Sequence, residues 1–213
     1  MRKLLTAIIL TACFYLVPLL GNPGLILDPR ILTLIVAALV LLLTQPALST
    51  KEARERRADD RYSVLIIMGV TALVQIISVL EWAYADAGLF SGGKILTTLA
   101  ATLLLMGILL RLWAIRELGR FFTATVYIAE DQQIITSGPF TIVRHPSYLG
   151  AYLAVIGSAL LLGSFWGTLL GLVGLFGAYH HRIAAEEKAM LGAFGESYRA
   201  YQTRTQRMIP FVW

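Results

Sequence analysis

Two polar clusters hold most of the chemistry this chain can offer. The first is Arg144-His145-Pro146-Ser147-Tyr148; the second is His180-His181-Arg182-Ile183-Ala184-Ala185-Glu186-Glu187. Pro146 suits the first turn of a helix, where its missing N–H costs nothing, so the amides just after it face whatever lies in front. Such a helix start suits a carboxylate or a polar adenosine edge. His145 adds a donor or acceptor, and Tyr148 a ring that carries a hydroxyl. Arg182 and Glu186 stand one turn apart on a helix, and as a plain surface ion pair they contribute only about 0.3 to 0.5 kcal/mol. Emerging directly from an apolar segment, the same residues also fit a cavity, because ionisable groups near membrane depth face pathways and sites. Arg182 can then orient a substrate carboxylate through a bidentate contact, and Glu186 can hold a cationic or hydroxyl-bearing cofactor. Interfacial anchors and a surface ion pair are the plain alternatives. A metal site is not expected: adjacent His180 and His181 point about 100° apart on a helix and do not converge with Glu186 and Glu187. The chain shows no Ser/His/Asp set, P-loop or dinucleotide fingerprint.

The elements that must position these clusters are apolar. Hydrophobic residues make up 57% of the 213 and charged residues 15%, with mean hydropathy +0.71, where a soluble domain carries about 25% charged residues. The expected class is an all-α integral membrane protein of one domain, residues 1–213, since no long linker, low-complexity tract or internal repeat divides it. Four transmembrane helices are expected at about 4–20, 31–48, 62–80 and 95–113, each near the length needed to cross roughly 30 Å of hydrocarbon. The first is read as a retained helix, because no small-x-small cleavage site closes it. The breaker-rich Gly21-Asn22-Pro23-Gly24 makes a short turn after it, and Glu81, Trp82 and Tyr84 form an interfacial belt at the end of the third. Blocks at 149–162 and 168–179, separated by a break at 163–167, form a helical hairpin whose frequent glycines let it approach the third and fourth helices closely.

The net charge of +5 raises nucleic acid as a partner, but the basic residues mark the ends of membrane segments, so none is expected. The run Lys51-Glu52-Ala53-Arg54-Glu55-Arg56-Arg57 is read as a solvated loop or a contact with anionic lipid headgroups. Only Arg30 and Lys94 fall on the opposite side from the other cations, which places both termini and the polar segment 116–146 in the cytoplasm. The lone Cys13 excludes an intramolecular disulfide and is read as a packing or lipid-facing residue.

An ordered series of motifs adds to this reading. Leu118-Gly119-Arg120-Phe121-Phe122, Ile135-Thr136-Ser137-Gly138-Pro139-Phe140, Val143-Arg144-His145-Pro146-Ser147-Tyr148-Leu149-Gly150, Arg182 with Glu186-Glu187, Phe194-Gly195-Glu196-Ser197-Tyr198-Arg199-Ala200-Tyr201 and Ile209-Pro210 together resemble the isoprenylcysteine carboxyl methyltransferase family. Its wider group includes membrane phospholipid N-methyltransferases. The resemblance covers about 116–211, so 1–115 supplies transmembrane helices and 116–213 the cofactor- and substrate-binding portion.

The resemblance implies that His145, Pro146, Ser147 and Tyr148 contact S-adenosylmethionine, together with Gln132, Gln133, Ile134, Ile135, Phe140 and Glu186. It places Arg182 at the substrate carboxylate and makes S-adenosylhomocysteine the product. Phe140 stands where a tyrosine is often found, and the polar family residue upstream aligns only loosely, near Thr125. The implied acceptor is the carboxylate of a prenylated or otherwise lipophilic molecule, entering laterally from membrane lipid through an opening between the third and fourth helices and the hairpin. A lipid amine or a phenol is the alternative acceptor and would require a base, with Glu187 or His181 as candidates. A transporter or scaffold, with Arg182 and Glu186 as an internal ion pair, is the non-enzymatic alternative.

Overall fold

The computed structural model describes residues 2–46, 62–85, 93–123, 125–126, 128–129 and 131–210. The charged run 51–57, the end of the expected second span at 47–48 and the turn at 86–92 lie outside the described residues.

Helix α1 (Arg2–Thr11) continues through a π turn (Ala12–Leu16) and a 3-10 turn (Val17–Leu19), and a second 3-10 turn (Pro23–Leu27) leads into α2 (Pro29–Leu43). Asp28 caps α2: its carboxylate accepts from the Arg30 amide at 2.8 Å and pairs with that guanidinium at 3.0 Å. The expected second span reached residue 48, but α2 stops at Leu43. Pro46 offers no amide and biases the residue before it away from helical geometry, which brings the stop forward.

Helix α3 (Ser63–Tyr84) and α4 (Lys94–Leu118, prolonged by a 3-10 turn to Phe121) are long and apolar enough to cross a membrane, with best-window hydropathies of 2.4 and 2.1. Among the described residues these two alone meet that length and composition; α1, α2 and α5 are shorter apolar helices.

Helix α5 (Pro146–Leu161) lies directly on α4 because neither backbone carries a side chain at the crossing. A Cβ on Gly107 would sit 2.5 Å from the Gly150 carbonyl oxygen and the Ala154 nitrogen, and one on Gly157 would sit 2.5 Å from the Leu104 nitrogen. Small residues at such crossings let helices approach in lipid, where dispersion and not water exclusion holds them.

Gly163, at φ 68°, ends this segment, and α6 (Phe165–Leu170), a π turn (Gly171–Leu175) and α7 (Phe176–Phe194) follow as one helical run. The break expected at 163–167 is therefore shorter, and the helix runs on past the apolar block through 180–187, which places Arg182 and Glu186 one turn apart as expected. Two caps explain the early restart. Ser164 Oγ accepts from the Gly167 amide at 2.9 Å, and Glu81 of α3 accepts from the Phe165 and Trp166 amides at 2.9 and 3.1 Å. Glu81 is thus turned onto a helix start. Its expected partners in an interfacial belt also find protein contacts: Arg30 stacks on Trp82 at 4.9 Å, and the Tyr84 hydroxyl donates to the Pro18 carbonyl at 2.9 Å.

Helix α8 (Glu196–Gln202) follows the Gly195 turn. Beyond it the chain returns to the Arg-His-Pro turn, where Arg144 N donates to Gln206 O at 2.8 Å, His145 N to Arg207 O at 3.0 Å and Gln206 N to Ile142 O at 3.0 Å. These bonds form an isolated parallel bridge between Val143 and Gln206, sealed by the fully buried Met208.

Candidate functional site

Helix α5 begins at Pro146, so His145 and Tyr148 sit at its N-terminal end beside the stretch that follows α4, and α7 runs past them carrying Arg182, Glu186 and Glu187. One cavity opens where these three elements meet. Gln132, Gln133, Ile134, Ile135, Phe140, His145, Pro146, Ser147, Tyr148 and Glu186, the residues singled out from sequence, all line it. The forty-residue interval between the two clusters is closed by folding.

Arg182 does not line the cavity. It is 2% exposed and lies behind the wall, where Nε donates to the Tyr148 hydroxyl at 3.1 Å and Nη1 to Ser63 Oγ at 3.1 Å. Its Nη2 is 3.5 Å from Glu186 Oε1. The amides of Tyr148 and Leu149 donate to the His145 carbonyl at 3.2 Å, so side chains, more than the free amides expected at this helix start, form the cavity surface.

The charged groups form a ladder. Tyr148 donates to Glu186 Oε1 at 2.6 Å. His145 lies between the two carboxylates, Nδ1 3.4 Å from Glu186 Oε2 and Nε2 3.4 Å from Glu187 Oε1; these are ion-pair distances, longer than good hydrogen bonds. Arg144 Nε donates to Glu187 Oε1 at 2.7 Å, and Arg207 Nε to Glu187 Oε2 at 2.9 Å. Arg144 Nη1 also donates to the Thr205 carbonyl, tying the returning tail to the ladder. The His145 and Tyr148 rings stack at 5.8 Å, and Tyr148 stacks on Tyr179 at 5.1 Å.

Burial opposes charge on all three central groups, and their mutual pairing outweighs it. Glu187 is lowered to about 2 because His145 and Arg144 overcome its desolvation. Glu186 is lowered in the same way by His145, Arg182 and Tyr148. Desolvation pushes His145 down, but the two carboxylates together raise it above the ordinary imidazole value. The arrangement therefore favours an imidazolium held between two carboxylates.

Several cavity residues were not singled out from sequence: Phe121, Phe122, Met190, Tyr198 and Tyr201. The motifs around Phe121 and Tyr198 carried the resemblance, yet hydrophobic side chains give no sign of which cavity they will face. Thr125, only loosely aligned, also lines it and is 1% exposed. Arg207 had no signal, because its role depends on a tail that returns to the turn. His180 and His181 are exposed on α7.

Residues 99–192 match the family model described as Isoprenylcysteine carboxyl methyltransferase (ICMT) family. The chain is similar to Protein-S-isoprenylcysteine O-methyltransferase B of Arabidopsis thaliana, 32% identical over 155 residues, 70% of this chain and 78% of that protein. It is also similar to Protein-S-isoprenylcysteine O-methyltransferase of Schizosaccharomyces pombe, 34% identical over 117 residues, 54% of this chain and 50% of that protein. The match thus spans half the length of the fission yeast relative. Among solved structures, a eukaryotic intramembrane Ras methyltransferase, ICMT, superposes with a TM-score of 0.59 at 20% identity, covering 97% of this chain and 74% of that one. At that identity the likeness establishes the fold.

Proposed function

Since the chain belongs to the isoprenylcysteine carboxyl methyltransferase family, we propose that it is an integral membrane O-methyltransferase that transfers a methyl group from S-adenosylmethionine to the carboxylate of an isoprenylcysteine-like lipophilic acceptor. The observation that carries this reading is the bond from Tyr148 to Glu186, which joins the Arg-His-Pro turn to Glu186 at one cavity.

The residues present fit the cofactor. Glu186 offers a carboxylate at the cavity edge, with its side chain 25% exposed, to a ligand whose sulfonium and ammonium are cationic. Phe121, Phe122, Phe140 and Ile134 give the apolar and aromatic walls a nucleoside requires. Gln132 and Gln133 bring amides to the same wall. When bound, S-adenosylmethionine supplies an electrophilic methyl on sulfur.

The chain's own residues then have little chemistry to perform. An acceptor carboxylate is ionised at neutral pH, so it would accept the methyl group that the cofactor supplies without any residue of this chain acting as general base. What accelerates transfer is holding oxygen, carbon and sulfur in line and keeping water out. Glu186, held by Tyr148, His145 and Arg182, is the fixed negative wall; Arg182, behind that wall, acts on acceptor orientation only through Tyr148, to which it donates. His145 holds the two glutamates together.

The proposed topology has four membrane helices plus the α5 to α7 hairpin, with both termini and the site on the cytoplasmic side. It is supported by the two long apolar helices and by the distribution of cations. Cofactor then enters from water, while a prenyl tail approaches through lipid past α3 and α4.

The test is transfer of labelled methyl to N-acetyl-S-farnesylcysteine by purified protein in bicelles. The reading expects a base-labile methyl ester. Label retained after base treatment would indicate N-methylation of a lipid amine, and no transfer with intact protein would remove the enzymatic reading.

A further inference from the structure

The last turn of α4 meets a segment that completes the cavity. Glu117 accepts a hydrogen bond from the Ser137 hydroxyl, joining residues 20 positions apart. The next residue, Gly138, holds φ at 55°, in the left-handed region that favours glycine. A Cβ there would lie 3.0 Å from the Glu117 carboxylate and 3.1 Å from Trp113 Nε1. The missing side chain therefore lets α4 sit directly on this turn.

Glu117 does not itself line the cavity, but what lies on either side of its bond does. Leu118, Phe121 and Phe122 follow it in the chain and are lining residues, and so is Phe140, two positions after Gly138. One carboxylate thus ties two lining segments to each other. Residues 131–136 form no helix or strand, yet Gln132 to Ile135 also line the cavity. A segment without regular structure depends on such ties to hold its side chains in place.

The alternatives for that task are weaker or act elsewhere. The Tyr201 hydroxyl donates to the Phe140 carbonyl at 2.7 Å, which fixes the far end of the turn to α8. Arg120 pairs with Asp131 at 2.8 Å, but these side chains are 70% and 60% exposed, and an ion pair so placed is screened and contributes little. Glu117 is half-buried, and as a carboxylate it accepts more strongly than a neutral oxygen.

We infer that Glu117 is a positioning residue of the methyl-donor site: through Ser137 it sets the segment 132–140 against the end of α4, and donor affinity depends on that tie. The inference rests on the methyl-transfer reading and adds to it a residue outside the cavity that governs cofactor affinity.

The experiment uses full-length protein in bicelles, with Glu117→Ala, Glu117→Gln, Ser137→Ala and the Glu117→Ala/Ser137→Ala double variant beside the wild type. Calorimetry follows S-adenosylhomocysteine, steady-state kinetics give KM for S-adenosylmethionine and for N-acetyl-S-farnesylcysteine, and thermal unfolding gives Tm. Glu117→Ala is expected to weaken S-adenosylhomocysteine about fivefold and to raise KM for the donor by a similar factor, while KM for the acceptor stays within about twofold. Glu117→Gln keeps an oxygen that accepts from Ser137 and recovers most of the loss. Ser137→Ala reproduces the loss, and the double variant is no worse than either single one, since both remove the same bond. Ser137 is exposed, so its variant decides the matter if Glu117→Ala does not fold.

Unchanged donor affinity in Ser137→Ala overturns the inference, as does equal weakening of donor and acceptor together with a lowered Tm, which would mark Glu117 as a general structural tie. Glu117→Gln as impaired as Glu117→Ala overturns it too, because the charge and not the bond would then matter. Failure of the underlying reading is separate and visible first, as no cofactor binding or methyl transfer by the wild type.

Discussion

Tyr148 donates its hydroxyl hydrogen to Glu186 Oε1 at 2.6 Å, joining residues 38 positions apart, while the phenol oxygen itself accepts from Arg182 Nε at 3.1 Å. One phenol therefore fixes both a carboxylate of the cavity wall and the arginine behind it. Removing it leaves both ring stacks intact and releases both charged groups.

Tyr148→Phe is expected to raise KM for the methyl donor about tenfold or more, since a hydrogen bond to a charged group contributes about 1.5 to 3 kcal/mol. The protein should retain its Tm within about 3 °C. Steady-state kinetics with the donor varied checks this; an unchanged KM would show that Glu186 is held adequately without the phenol.

Glu187→Gln removes the anion shared by Arg144 and Arg207. Arg144 would remain buried beside His145 with no full counter-charge, so a loss of about 3 kcal/mol or more in stability is expected. Thermal unfolding in detergent reads this as a lowered Tm, and a wild-type Tm would show the ladder to be incidental to the fold.

The ladder also sets a pH window. Glu186 and Glu187 are lowered in the folded state, so their contribution is full above the ordinary value of 4.5 and is lost as pH falls, for Glu187 toward about 2. His145 is raised, so its contribution is full below 6.5 and is lost as pH climbs through the raised value. Tm should therefore be highest between about pH 4.5 and 6.5 so far as this cluster decides it. His145→Gln should flatten the alkaline limb selectively; an alkaline limb of wild-type steepness in that variant would assign the dependence elsewhere.

Gly150→Ala tests the crossing of α4 and α5. A Cβ there would lie 2.7 Å from the Gly107 carbonyl oxygen and the Arg111 nitrogen, backbone atoms that cannot move aside. Overpacking of this kind costs about 1 to 3 kcal/mol, and since α5 starts at Pro146 the cavity should suffer with it: lower Tm and lower turnover together. Full turnover at wild-type Tm would mean that the helices have room to part.

Much of this was legible beforehand, for physical reasons. Apolar runs of near-membrane length announce helices, and Pro146 announces a helix start, so α3, α4 and α5 were placed within a few residues of their observed bounds. The second block of the hairpin, expected from 168, starts at Phe165 because it takes its cap from Glu81, 84 residues away, and no local pattern encodes such a partner. The cavity residues from Gln132 to Tyr148 and Glu186 were legible through ordered motifs. Arg207 was not, because it meets Glu187 only after the tail returns to the turn.

The central claim is that the Arg-His-Pro turn and the glutamate pair form one S-adenosylmethionine site. It is tested most directly by calorimetric titration of S-adenosylhomocysteine into wild-type, Tyr148→Phe, Glu186→Gln and doubly substituted protein. The account predicts one binding site per chain in the wild type, weaker binding in each single variant, and a double variant clearly less impaired than the sum of the two, as contacting residues require. Strictly additive losses, or binding indifferent to Glu186, would contradict it.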